Sequence, residues 1–69
     1  MSIQRNHGSP YDRGSADSYY QRGFGPHWYP EGTGNGERIQ EEDMSPDQIA
    51  EYTIGFEENE QAKNFKDWD

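Results

Sequence analysis

With 69 residues, no leucine, valine or cysteine, and a net charge of −8, this chain lacks both an aliphatic core and the disulfides or thiolate metal sites that staple many small domains. Ten of its nineteen apolar residues are rings, and a chain this short buries only about 60% of the surface it exposes when unfolded, so its order must come from ring packing or from binding. Residues 1–30 carry a net +1 and residues 31–69 a net −9, which excludes general attraction to DNA, RNA or anionic lipid and points to a partner with a basic surface.

Residues 1–14 are polar, with Gly8, Ser9 and Pro10 and no sustained periodicity, and read as a flexible arm ahead of one small domain over residues 15–69. Ser15 is placed to N-cap a short helix running to Arg22, with Asp17 in its first turn and Gly23 at the left-handed C′ position. A helix of two turns does not persist alone in water, so Tyr19 or Tyr20 must dock on something. Phe24, His27, Trp28 and Tyr29 lie around Pro26 and Pro30, a pattern that suits an extended segment. Asn35-Gly36 is a turn signal that folds Trp28–Pro30 back on Glu37–Gln40 as a short hairpin.

The densest local signal starts at Ser45. Ser45 as N-cap, Pro46 at the first helical position and Gln48 three residues on predict a capping box, and Met44 with Ile49 fits a hydrophobic staple. The helix is predicted over 46–61. Taking about 100° per residue, Ile49, Tyr52, Thr53 and Phe56 form its core stripe, with Asp47, Glu51 and Glu58 on the opposite side. Ile54 falls beside the acids, either as a lone exposed hydrophobe or as a partner contact. Gly55 is costly in mid-helix and asks for close approach of another backbone or ring, or for a hinge. Phe65 and Trp68 continue one helix face, fold back over the aromatic segment, or belong to a frayed tail. The expected fold is small α+β or mainly α. Its aromatic core or patch draws on Tyr19, Tyr20, Phe24, His27, Trp28, Tyr29, Tyr52, Phe56, Phe65 and Trp68, gathered from both halves against the main helix.

Tyr20-Gln21-Arg22-Gly23-Phe24 and Tyr52-Thr53-Ile54-Gly55-Phe56 share a Y-x-x-G-F pattern thirty-two residues apart, as though two helices each offered a glycine notch to a ring. The run Tyr11-Asp12-Arg13-Gly14-Ser15-Ala16-Asp17-Ser18-Tyr19-Tyr20, then Pro26-His27, Glu51-Tyr52, Gly55-Phe56 and Asn64-Phe65-Lys66-Asp67-Trp68, resembles short accessory proteins of tailed bacteriophages and prophages. The Y-x-x-G segments are also similar to those of the ribosome modulation factor group, small helical proteins that bind ribosomal RNA; the acidic balance here departs from that group. The first resemblance implies an accessory role toward a host and carries over no site residue.

Catalytic and metal chemistry find little footing. His7 and His27 are the only histidines, with no third ligand at metal spacing, so neither a metal nor a catalytic site is expected, nor a cofactor. His27 suits stacking or hydrogen bonding within the aromatic segment, with pH-sensitive packing. The serines lack a nucleophile elbow, Gly32-Thr33-Gly34-Asn35-Gly36 lacks the lysine of a phosphate loop, and Glu41-Glu42-Asp43 lacks the spacing of a calcium loop. No apolar stretch approaches the roughly 20 residues of a membrane span and Met1–Ser18 has no signal-peptide pattern, so a soluble cytoplasmic protein is expected.

The leading expectation is therefore a non-enzymatic phage or prophage accessory protein, acting in the host cytoplasm. An acidic face of Asp47, Glu51, Ile54 and Glu58 would meet a host protein with a basic surface, in the manner of a counter-defence or takeover inhibitor. The same face is also what keeps a ring-rich chain in solution. One alternative is a ribosome- or nucleic-acid-associated module, with Arg5, Arg13 and Arg22 on phosphate and Tyr19, Tyr20 and Trp28 on bases; another is a minor virion component.

Overall fold

The computed structural model describes residues 8–32 and 36–66 and has two helices and a two-stranded antiparallel sheet. Helix α1 runs Pro10–Tyr19, strand β1 is His27–Trp28, strand β2 is Ile39–Gln40, a 3-10 turn covers Glu41–Asp43, and helix α2 runs Pro46–Ala62. A small, mainly helical α+β architecture is thus the fold. Among the described residues no helix is long and apolar enough to cross a membrane.

Both helices open on the same dipeptide. Ser45 caps α2 through its Oγ, which accepts the Gln48 N–H at 3.2 Å, while Gln48 Oε1 accepts the Ser45 N–H at 2.9 Å and Pro46 fills N1. This is the predicted capping box, a local device that stabilises by about 1 kcal/mol. Ser9-Pro10 does the same for α1: Ser9 Oγ accepts the Asp12 N–H at 3.3 Å, and the Asp12 carboxylate accepts the Gly8 N–H at 2.9 Å. The first helix therefore begins five residues before Ser15, and residues 8–14 form its cap and first half rather than an irregular arm. Residues 1–7 of that expected arm lie outside the described residues.

α1 also ends earlier than Arg22. The Gln21 N–H bonds the Ser18 carbonyl at 3.0 Å and the Arg22 N–H bonds the Asp17 carbonyl at 2.9 Å, the paired closure of a Schellman motif. Gln21, at φ 57°, takes the left-handed position expected of Gly23. α2 outruns its predicted end by one residue and closes on Lys63, also left-handed at φ 55°.

The helices meet through two glycines. A methyl at Gly14 would overlap the Tyr52 carbonyl oxygen and stand 2.9 Å from the Phe56 nitrogen; one at Gly55 would overlap the Tyr11 carbonyl oxygen and stand 3.2 Å from the Ser15 nitrogen. Each helix thus lays backbone in a notch of the other. Gly55 belongs to a close approach, as expected, and its counterpart is Gly14, not Gly23, where an added methyl would meet nothing within 4 Å. The recurring unit is Tyr11-x-x-Gly14 with Tyr52-x-x-Gly55, so the Y-x-x-G-F echo through Tyr20 does not mark equivalent packing.

This crossing turns α2 away from its predicted attitude. Tyr52, Gly55 and Asn59 are its buried residues, whereas Ile49, Thr53 and Phe56 are only half-buried. The buried stripe is rotated by about 80° from the hydrophobic one, because the closest neighbour is α1 backbone at Gly55 rather than a layer of aliphatic chains. Polar residues complete the interior: the Asn59 amide donates to Ser18 Oγ at 2.9 Å and to the Asn64 carbonyl at 2.8 Å, and Ser18 Oγ donates to Glu60 at 2.6 Å.

The hairpin pairs His27 with Gln40 and Trp28 with Ile39, so its second strand lies within the expected Glu37–Gln40 while its first starts one residue before the expected Trp28–Pro30 and ends at Trp28; Asn35 of the turn lies outside the described residues. It is tied to α1 by the Tyr29 N–H, which donates to the Gly8 carbonyl at 2.8 Å. After α2 the chain doubles back on α1, where the Lys66 N–H donates to the Tyr19 carbonyl at 2.7 Å.

Candidate functional site

Three buried polar side chains from three elements meet beneath the segment joining α1 to β1. Asp17 comes from the last turns of α1, His27 from β1 and Tyr52 from α2, at 4%, 4% and 0% relative exposure. With α1 starting at Pro10, Asp17 lies on one stripe with Pro10, Gly14 and Ser18, the four buried residues of that helix. The Tyr52 hydroxyl donates to Asp17 Oδ2 and accepts the Gly25 N–H at 3.1 Å, so one phenol satisfies a buried carboxylate oxygen and a loop amide together. His27 Nδ1 donates to the Gly25 carbonyl at 2.8 Å and lies 3.6 Å from Asp17 Oδ2; its Nε2 accepts from Arg13 Nε at 3.3 Å. These contacts fit a neutral imidazole with its proton on Nδ1.

Rings close over this network. Phe24 meets Tyr52 edge-on at 5.3 Å and Phe56 at 5.4 Å, and His27 meets Tyr29 edge-on at 5.6 Å. Of the expected aromatic patch, Phe24, His27, Tyr29, Tyr52 and Phe56 are together. Tyr19 and Tyr20 form a separate pair on α1. Trp28 is half-buried, its indole N–H buried without a hydrogen-bond partner among the described residues; Phe65 is exposed at 37%, so it forms no part of the core; Trp68 lies outside the described residues.

Above the network is a cleft of about 370 Å³ lined by Arg13, Asp17, Arg22, Gly23, Phe24, Gly25, His27, Tyr29 and Arg38. Arg22 contacts Asp17 Oδ1 through one nitrogen at 3.4 Å and lies 4.5 Å over the Tyr20 ring; the Arg13 guanidinium is 5.7 Å from the Tyr29 ring centre. No family model, curated protein or solved structure matches this chain. What the cleft and the helix surface can do follows from their own chemistry.

The residues expected to form an acidic face are on α2. Asp47 and Glu58 are exposed, Ile54 is exposed at 38%, and Glu51 is half-buried. Glu58 accepts a hydrogen bond from the Tyr11 hydroxyl at 2.5 Å, so it also links the two helices. Of the arginines assigned to phosphate in the nucleic-acid alternative, Arg13 and Arg22 share the cleft and Arg5 lies outside the described residues; the rings beside them are Phe24 and Tyr29 rather than Tyr19 and Trp28. Arg38 and the buried role of Asp17 went unread. Arg38 stands in the acid-rich half, and a helix start at Ser15 puts Asp17 in an exposed first turn; the stripe Pro10, Gly14, Asp17, Ser18 is the signal of its burial.

Burial pushes the His27 imidazole below its ordinary range; the Gly25 carbonyl and Asp17 pull the other way, and the Arg38 and Arg13 cations add to the depression. A depressed histidine is neutral in the fold while the unfolded chain takes up a proton near pH 6.5, so stability is present above that pH and is lost as pH falls toward the folded value. The urea midpoint should therefore drop between pH 7.5 and pH 5.5, and His27→Gln should flatten that slope. An equal slope in the variant would refute the assignment.

Proposed function

We propose that this chain is a non-enzymatic binding protein of the phage and prophage accessory type, which acts in the host cytoplasm by docking the outward side of α2 on a basic surface of a host protein and so blocking it. The observation that carries this reading is the composition of that side. Asp47, Ile54, Glu57 and Glu58 are all exposed along it, and the 3-10 turn leading into the helix adds the exposed Glu41, Glu42 and Asp43. From Asp47 to Glu58 the row covers about 16 Å of helix axis.

Acids alone serve solubility. Ile54, at 38% exposure in the middle of the row, is what an interface adds: an apolar anchor ringed by charges that steer the encounter but contribute little once bound. The glycine crossing supports the same reading, because it fixes this helix by its inner side and leaves Asp47, Ile54 and Glu57 for contact, with Glu58 at the edge bonded to Tyr11.

The test separates the two components. In co-purification from host lysate at rising salt, Asp47→Asn with Glu57→Gln should slow capture of a basic partner and weaken its salt dependence. Ile54→Ala should shorten the lifetime of the complex about tenfold, since loss of a buried contact acts on dissociation. Capture that is indifferent to all three substitutions would sink the proposal.

A further inference from the structure

We propose that the cleft between α1 and the hairpin binds a small phosphorylated ring compound of the nucleotide class, with the phosphate on Arg13, Arg22 and Arg38 and the ring against Phe24. This site shares no side chain with the outer row of α2, so either reading stands if the other fails.

Charge carries the first half of the argument. Three of the six cationic residues of a chain with net charge −8 line this single cleft, against one carboxylate, Asp17, which is buried and already occupied by Tyr52 and Arg22. Arg13 and Arg38 are both near enough to His27 to depress its protonation. Like charges gathered in this way repel one another, and an anion between them removes that cost. Their hydrogen-bonding capacity is also open. Arg13 spends Nε on His27, which orients the guanidinium and leaves its terminal amino groups without an acceptor among the described residues. Arg22 spends one nitrogen on a long contact to Asp17, and Arg38 has no ion pair among the described residues. A guanidinium fork matches two phosphate oxygens at once, and three forks suit a phosphate monoester better than a single carboxylate.

Shape and apolarity carry the second half. Phe24 is the most exposed large hydrophobe described, at 54%, yet it is held from behind by edge contacts to Tyr52 and Phe56, so its ring is a fixed platform beside the arginines. Nucleobases stack on such rings without regard to sequence. A volume of about 370 Å³ lies at the small end of small-molecule sites. A long nucleic acid is disfavoured by the overall negative charge, which repels a polyanion far more than a mononucleotide.

The probe is AMP, titrated at low ionic strength into the full chain and followed by amide NMR shifts, with adenosine and inorganic phosphate as separate arms. Saturable shifts at Gly23, Gly25 and His27 are expected, with adenosine and phosphate each binding at least about tenfold more weakly than AMP. Arg22→Gln with Arg38→Gln, both at exposed positions, should weaken AMP about tenfold or more, whereas Lys63→Gln should leave it unchanged. The proposal is overturned if AMP does not saturate, if the double variant binds it as well as the native chain, if Lys63→Gln weakens it equally, or if phosphate alone binds as tightly.

Discussion

Gly55→Ala is expected to destabilise the protein by about 1–3 kcal/mol, against a helix propensity that favours alanine by roughly 1 kcal/mol. The added methyl overlaps the Tyr11 carbonyl oxygen and stands 3.0 Å from its carbon, and helix backbone cannot swing aside as a flexible side chain would. The two helices must separate, and every hydrogen bond between them lengthens with that motion. Gly14→Ala should behave alike, since its methyl meets the Tyr52 carbonyl. The double variant should cost less than the sum, because the first methyl already creates the gap the second needs. Gly25→Ala, whose added methyl would meet nothing within 4 Å, is the control and should move stability by under about 1 kcal/mol. Urea unfolding followed by circular dichroism measures all four, and a Gly55→Ala midpoint equal to the native one would mean that the helices do not cross at these glycines.

Tyr52→Phe carries the second large effect. It removes a single oxygen from the most buried ring in the described structure and in doing so strips a donor from the Asp17 carboxylate and an acceptor from the Gly25 N–H. Hydrogen bonds to charged groups contribute about 1.5–3 kcal/mol, and loss of the part-buried bond from the Gly25 N–H adds a smaller amount. We expect about 2–4 kcal/mol overall, enough to unfold a substantial fraction of so small a protein at 37 °C. A cycle with Asp17→Asn locates the cause: the two substitutions should be strongly non-additive, since each deletes the same contact. Additive losses would show that the phenol and the carboxylate act separately. Burial, with the Asp17 contact adding to it, also pushes the Tyr52 phenol well above its ordinary range, so the hydroxyl keeps its proton throughout these measurements.

The parts of the fold legible in the sequence were those fixed within four residues. Ser45, Pro46 and Gln48 specify a helix start through bonds among themselves, and nothing distant can alter that reading. The Ser9-Pro10 start is masked because Gly8, Ser9 and Pro10 read as turn formers and no apolar periodicity follows them, the inward side of the helix being Gly14, Asp17 and Ser18. Only the arrival of Tyr52, thirty-eight residues later, turns Gly14 into a contact. The rotation of α2 was hidden for a related reason: hydrophobic periodicity ranks Ile49 and Phe56 above Gly55 and Asn59, yet the latter pair is buried, one by backbone approach and the other by hydrogen bonds. As for the sites, the outer row of α2 follows directly from helical spacing. The cleft does not, because Arg13, Arg22 and Arg38 come from a helix, its exit and a strand approach, and only the folded chain brings them to one opening.

The reciprocal seating of α1 and α2 also bears on how the molecule reaches its native state. Pro10–Tyr19 is ten residues long and has too little length to survive in water by itself, and its inner surface is completed chiefly by α2, through backbone and rings of residues 52–56 and the polar side chains of Asn59 and Glu60. The intervening 26 residues must therefore close as a loop before either segment gains its main tertiary reward, an entropic toll paid ahead of any return. Neither helix is then expected to form without the other, and urea unfolding should run as a single transition, coincident by circular dichroism and by tyrosine fluorescence.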